Sequence, residues 1–202
     1  MEGAMFYWSF WFFWVYATFI LKKQNPYRLK IAAIVLIVII FSNTQTVIGN
    51  FELNLGGGLL LLFSYLLLAK EKNRALIYLY ICSLITAVAY VTFQLFEVFD
   101  PVWILFKREW MLGITIGYLA LLLQNSLKNR LLMVAAGTMQ GEMLYAYILN
   151  KFDFDYLIGS YAYLDVCSAI ALILVGWSML ESAGLSLQHV VQLSGKVKHK
   201  SS

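Results

Sequence analysis

Charge is scarce in this chain. Only 13% of its 202 residues are Asp, Glu, Lys or Arg, against 61% hydrophobic ones. Soluble domains carry roughly a quarter charged residues, so this surface was not built to face water on all sides. Proline is nearly absent, at two residues, and both Pro26 and Pro101 fall between apolar runs rather than inside them. The two cysteines, Cys82 and Cys167, lie within apolar runs at different depths, which argues against a disulfide and for thiols packed as small hydrophobes. Both histidines, His189 and His199, belong to the C-terminal tail, so no cluster has metal-ligand spacing and neither metal nor cofactor is expected. H-E-x-x-H, G-x-S-x-G, C-x-x-C and G-x-x-x-x-G-K-[ST] are all missing. An enzyme is not expected, and neither is an ATP-driven machine. The last apolar run, 157–180, has no lysine to form a retinal Schiff base.

What is present are long apolar runs. They predict an all-α polytopic transmembrane bundle, with about seven spans at 5–21, 31–48, 55–69, 75–99, 110–127, 131–150 and 157–180, followed by a basic tail, 181–202. Residues 1–180 read as one membrane domain. The first span is aromatic at ten of seventeen positions, and its Trp8, Trp11 and Trp14 suit interfacial anchoring and lipid contact. The third span is short, opens on Gly56-Gly57-Gly58, and leaves a re-entrant segment as the alternative. In the tail, Leu185, Leu187, Val190, Val191 and Leu193 could rest on the membrane surface.

The basic residues sort by loop. Twelve of the fifteen Lys and Arg fall in the 22–30, 70–74 and 128–130 loops and the tail, and only Lys107, Arg108 and Lys151 fall on the other side. The positive-inside rule then places the N-terminus outside and the tail in the cytoplasm. The same sorting makes a nucleic-acid surface a poor explanation of the net charge of +4.

Two carboxylates stand inside apolar runs, Glu142 and Asp165. Each lies eight residues from the outer end of its run, roughly 12 Å below the same surface. Intramembrane acids are costly and mark functional sites by default. Thr138 and Tyr145 share a helical face with Glu142, and Tyr161 and Ser168 share one with Asp165. No lysine or arginine falls within a span, so a shared proton is the expected way to hold the pair. The polar stripe Tyr90, Gln94 and Glu97, led by Thr86, and the polar patch containing Asn43 and Gln45 lie toward the same end. Together they outline an outward-facing polar pocket. The competing reading is that these groups only bond across helices. Gly113/Gly117 and Gly137/Gly141 are both G-x-x-x-G pairs, read as helix packing within the bundle, with homodimerisation the alternative.

The N-terminal run MEGAMFYWSFWFFWVYATFILKK, the apolar second span and the short basic loops resemble the YphA family. These are small uncharacterised multi-pass membrane proteins of spore-forming Gram-positive bacteria. The resemblance implies a plasma-membrane location and supplies no binding or catalytic residues. The residues themselves favour a non-enzymatic transport component for a small solute or a proton. The alternative is a membrane scaffold or regulatory subunit. The partners expected are the lipid bilayer and, for the second reading, a membrane protein or a second copy.

Overall fold

The computed structural model describes residues 2–26, 28–49 and 51–200; side chains at 103 and from 185 onward lie outside that description. The tail residues read above as surface-seeking, and the tail lysines, therefore lie outside the described side chains. Among the described residues there are seven α-helices and three short strands. In order they are α1 (Ala4–Val15), α2 (Arg28–Phe41), β1 (Gln45–Ile48), β2 (Phe51–Asn54), α3 (Leu55–Leu68), α4 (Asn73–Phe99), α5 (Arg108–Leu123), α6 (Leu127–Asn150), β3 (Leu157–Ile158) and α7 (Tyr161–Lys200). A π-helical turn, Tyr16–Ile20, extends α1, and a 3₁₀ turn, Pro101–Trp103, separates α4 from α5.

Two helical stretches, Asn73–Phe99 and Tyr161–Gly184, are long and apolar enough to cross a membrane; Ala4–Ile20 and Leu55–Leu68 are apolar but shorter. The helices pack around α6, whose widest contact is with α4. α7 packs on α5 and α1, and α3 packs on α6 and α2. Fully buried Tyr90, Met133, Met139, Tyr163, Leu164 and Ile170 form the middle of the core. Many large apolar side chains point outward instead, among them Trp8, Phe19, Ile77, Val88, Tyr118 and Leu122. In the aromatic first helix Phe6 and Phe10 are buried, while Trp8, Trp11 and Phe12 are exposed. Water-soluble proteins rarely leave so many large apolar side chains pointing outward.

The structure corrects several span boundaries. The second span does not run to Ile48, because α2 ends at Phe41 and residues 45–48 pair as a strand. Ser42 and Thr44 turn their hydroxyls onto the carbonyls of Ile39 and Phe41, ending the helix by local competition for its backbone. β1 and β2 then pair antiparallel, with Ile48 opposite Phe51. Gly49 takes φ +64°, the left-handed value a two-residue hairpin turn requires. β3 joins β2 in parallel, so the seventh helix begins at Tyr161 rather than at Leu157. At the other end, Lys128–Arg130 is not a loop but the first turn of α6, capped by the Ser126 hydroxyl, which accepts from Asn129 N–H at 3.3 Å. α5 correspondingly stops at Leu123, not Leu127. The third helix starts at Leu55 as expected, with Asn54 as its cap, accepting from Gly56 N–H at 2.8 Å.

Candidate functional site

The two acids that stand inside apolar runs do separate work. Asp165, only 6% exposed, caps α1 from across the bundle: its Oδ2 accepts from Gly3 N–H and its Oδ1 from Phe6 N–H, both at 2.7 Å. The first turn of α1 has no side-chain cap of its own and no acidic residue. Its orphan N–H groups and the positive end of its dipole are met by the carboxylate of α7. Gly3 makes this possible with φ +83° and a Cα hydrogen turned toward Tyr161; a Cβ there would lie 2.8 Å from Tyr161 Cδ1. Both oxygens of Asp165 are therefore engaged by backbone. The expectation that it shares a proton with Glu142 is corrected on this ground.

Glu142 is fully buried on α6. Three donors converge on one of its oxygens: Tyr90 Oη at 2.5 Å, Tyr156 Oη at 3.1 Å and Gln94 Nε2 at 3.2 Å reach Oε1. Its Oε2 is buried with no hydrogen-bond partner. The Gln94 amide is held the right way round by Arg108, whose Nη2 donates to Gln94 Oε1. Arg108 Nε also lies 2.8 Å from Glu97 Oε2, an ion pair by proximity in which the N–H does not point at the oxygen. Glu97 and Arg108 are about a quarter exposed, so the chain Glu97–Arg108–Gln94–Glu142 runs from the edge of the protein to its buried interior. Burial, and then the neighbouring Glu142, push the Tyr156 phenol well above its ordinary range, which keeps it a donor at physiological pH.

The predicted site residues thus divide. Tyr90 and Gln94 contact Glu142 directly, and Glu97 joins through Arg108. Thr138 donates to Val134 O at 2.8 Å and lies 3.1 Å from the Tyr163 hydroxyl, not on either acid. Ser168 donates to Leu164 O of its own helix, so it does not serve Asp165. Tyr145 packs edge-on against Tyr156 with ring centroids 5.0 Å apart. Tyr161 belongs to a third cluster, in which its hydroxyl donates to Asn43 Oδ1 and lies 3.2 Å from Tyr7 Oη, itself 3.0 Å from Ser42 Oγ. Gln45 is exposed on β1. Sharing a helical face was a poor guide here, because a buried Ser or Thr finds its own i−4 carbonyl first, while long tyrosines arrive from facing elements.

Two functional residues escaped the sequence reading. Arg108 was counted as a loop charge, yet it brings a cation to the network. The acidic end of α4 opposite the basic start of α5 was the available signal. Tyr156 sits in the 151–156 loop, where nothing marked it. Lys151 lies over the Tyr147 ring, its Nζ 4.8 Å from the ring centroid.

The G-x-x-x-G glycines lie at contacts within the bundle. A Cβ on Gly137 would meet Ser83 O at 2.6 Å, and one on Gly141 would meet Tyr90 Cδ1 at 2.8 Å, both across the α4–α6 contact. Gly113 and Gly117 face Ala169 and Ile173 of α7 at 3.2 and 3.3 Å. Cys82 and Cys167 are free thiols, and among the described residues no group of His, Cys, Asp and Glu could hold a metal.

No solved structure matches this chain. It is 31% identical over 182 residues to the Bacillus subtilis (strain 168) protein described as "Uncharacterized protein YphA", covering 90% of this chain and 89% of that one. The family model for YphA-like integral membrane proteins matches residues 2–200. With nearly the whole length matched, the chain belongs to the YphA-like integral membrane protein family.

Proposed function

We propose that this protein is a multi-pass plasma-membrane bundle of seven crossings that serves as a non-enzymatic, proton-coupled component for a small solute, with Glu142 as its proton-binding group. The observation that carries the reading is the bare Oε2 of Glu142. Ionised, that oxygen lacks a donor; protonated, its hydrogen lacks an acceptor. A buried group left open in either state is suited to a transient guest, whether water, a proton carrier or a solute donor. The chain from Glu97 through Arg108 and Gln94 gives it a polar connection to the protein edge.

The orientation proposed has the N-terminus outside and the C-terminus cytoplasmic. Its support is the loop charge; at the same end Lys128 pairs with Glu71 at 2.5 Å and Arg130 with Glu181 at 3.4 Å. The strands and the Arg108–Glu97 pair then lie toward the outer face.

The second reading, a scaffold or regulatory subunit, is favoured by Asp165, whose carboxylate is spent entirely on holding α1. Infrared titration of the carboxyl C=O band in membranes separates the two. Wild type should show a band that responds to external pH and disappears in Glu142→Gln, while Asp165→Asn should leave the pH response in place. A band indifferent to pH, or one that survives Glu142→Gln, would refute the transport reading and leave packing as the role of Glu142.

A further inference from the structure

We propose that the basic end of the bundle holds one acyl chain of an anionic phospholipid. A crevice of about 410 Å³ opens there between α1, α2, α6 and α7. This lies within the roughly 300–1,000 Å³ range of small-molecule sites. Its wall is almost entirely apolar, with Phe13, Val35, Leu131, Val134, Ala171 and Val175 among the lining residues. Such a wall has nothing to offer a polar solute, which separates it from the Glu142 site; a hydrocarbon chain is the chemistry that fits.

The second observation is charge. The crevice residues Leu21, Ile31 and Leu127 are the sequence neighbours of Lys22, Lys30 and Lys128. Lys128 is committed to Glu71, and Arg28 to the carbonyls of Ala17 and Thr18. Lys22, Lys23 and Lys30 are exposed and stand within two residues of the lining residues Leu21 and Ile31. An apolar slot flanked by lysines complements a lipid with a negative headgroup.

The third observation is local backbone. α1 widens into the π-helical turn Tyr16–Ile20 where it borders the crevice, and Tyr16 lines it. Such turns cluster at functional sites because they displace a helix from its regular path. Arg28 occupies the carbonyls at this end of the turn, with Nε donating to Ala17 O at 3.3 Å, and so joins the two helices that flank the opening. The leaflet that supplies the lipid depends on the orientation proposed above; occupancy of the crevice does not.

The test uses the full chain in nanodiscs doped with phosphatidylglycerol or phosphatidylcholine, each carrying a diazirine in one acyl chain. Crosslinks mapped by mass spectrometry should concentrate on Val134, Ala171 and Val175, severalfold more with phosphatidylglycerol. Ala171→Trp, which fills the crevice, should cut them at least fivefold. Should that variant fail to fold, Ala135→Leu at the same wall gives the reading. Lys22→Gln, Lys23→Gln and Lys30→Gln combined should equalise the two lipids without changing thermal stability. Crosslinks spread evenly over outward residues such as Ile77, Ile81 and Leu84 would overturn the proposal. So would equal labelling by both lipids in wild type, or protein–protein crosslinks at the crevice marking a second copy as its occupant.

Discussion

Replacing Asp165 by Asn tests whether this acid is a helix cap or half of a protonatable pair. In the cap, Oδ1 and Oδ2 each accept one backbone N–H at 2.7 Å. An amide offers one acceptor and places an NH₂ against the other N–H. One charge-assisted hydrogen bond, worth about 1.5–3 kcal/mol, is lost, and a buried N–H is left without a partner at a cost of about 1–3 kcal/mol. These overlap, so the net loss should be about 2–4 kcal/mol. For a chain of this size that corresponds to roughly 4–16 °C in apparent Tm. Differential scanning of the full chain in detergent measures it, with Ser168→Ala as a control whose hydroxyl serves only its own helix. The amide hydrogens of Gly3 and Phe6 should also exchange faster in Asp165→Asn, because the first turn of α1 loosens. An Asp165→Asn protein that melts within a degree of wild type and keeps those amides protected would refute the cap, since two interchangeable protonated acids would tolerate an amide.

The remaining predictions concern packing, the polar chain and topology. Gly137→Leu and Gly141→Leu should destabilise more than Gly113→Leu and Gly117→Leu in the same melting assay, because the first pair meets backbone oxygens and a buried tyrosine while the second meets side-chain atoms. Equal effects would mean that closeness of approach does not set the cost. Arg108→Gln should shift the Glu142 carboxyl band, because the Gln94 amide would no longer be held with its NH₂ toward the carboxyl; an unchanged band would remove Arg108 from the network. Reporter fusions after Lys30, Asn54, Arg74 and the tail should read in, out, in and in, and a tail reporting outside would end the seven-crossing proposal.

What could be read in the sequence follows physical range. Helices α4 and α7 were legible because unbroken apolar length is a local property, and α3 as a shorter apolar run, although its Asn54 cap was not noticed. The strands were hidden because Gln45-Thr46-Val47-Ile48 was read as the polar outer end of the second span, although Gly49-Asn50 between β-branched and aromatic residues is a hairpin signal. Glu142 could be found as an unusual charge in an apolar run, and Tyr90 and Gln94, 52 and 48 residues away, as a polar stripe toward the same end. Tyr156, which reaches Glu142 from a loop, and Arg108, which orients Gln94, could not. Asp165 was found for the right reason and assigned the wrong partner. Its function is completed by the backbone of residues 3 and 6, and backbone N–H groups leave no mark in a sequence.

The corrections share a cause that bears on how this fold satisfies its backbone. α2 and α3 have 14 residues each, about 21 Å of helix, short of a hydrocarbon core of about 30 Å. Between them the chain runs through β1, exposed along most of its length, and β2, which pairs with β1 on one side and β3 on the other. The join is closed by Asn54, whose Nδ2 donates to Ser42 O at 2.7 Å while its Oδ1 holds the start of α3. Gly57 and Gly159 let α3 and the β3 turn touch backbone to backbone, a Cβ on Gly57 falling 2.9 Å from Gly159 Cα. The same end carries Asp165 on the start of α1 and Tyr161 on Asn43. One end of the bundle is thus stitched by hydrogen bonds among chain segments, while the opposite end is held by ion pairs around an apolar opening. In the orientation proposed, a polar guest would meet its chemistry from the stitched outer side, and the lipid would enter from the cytoplasmic one.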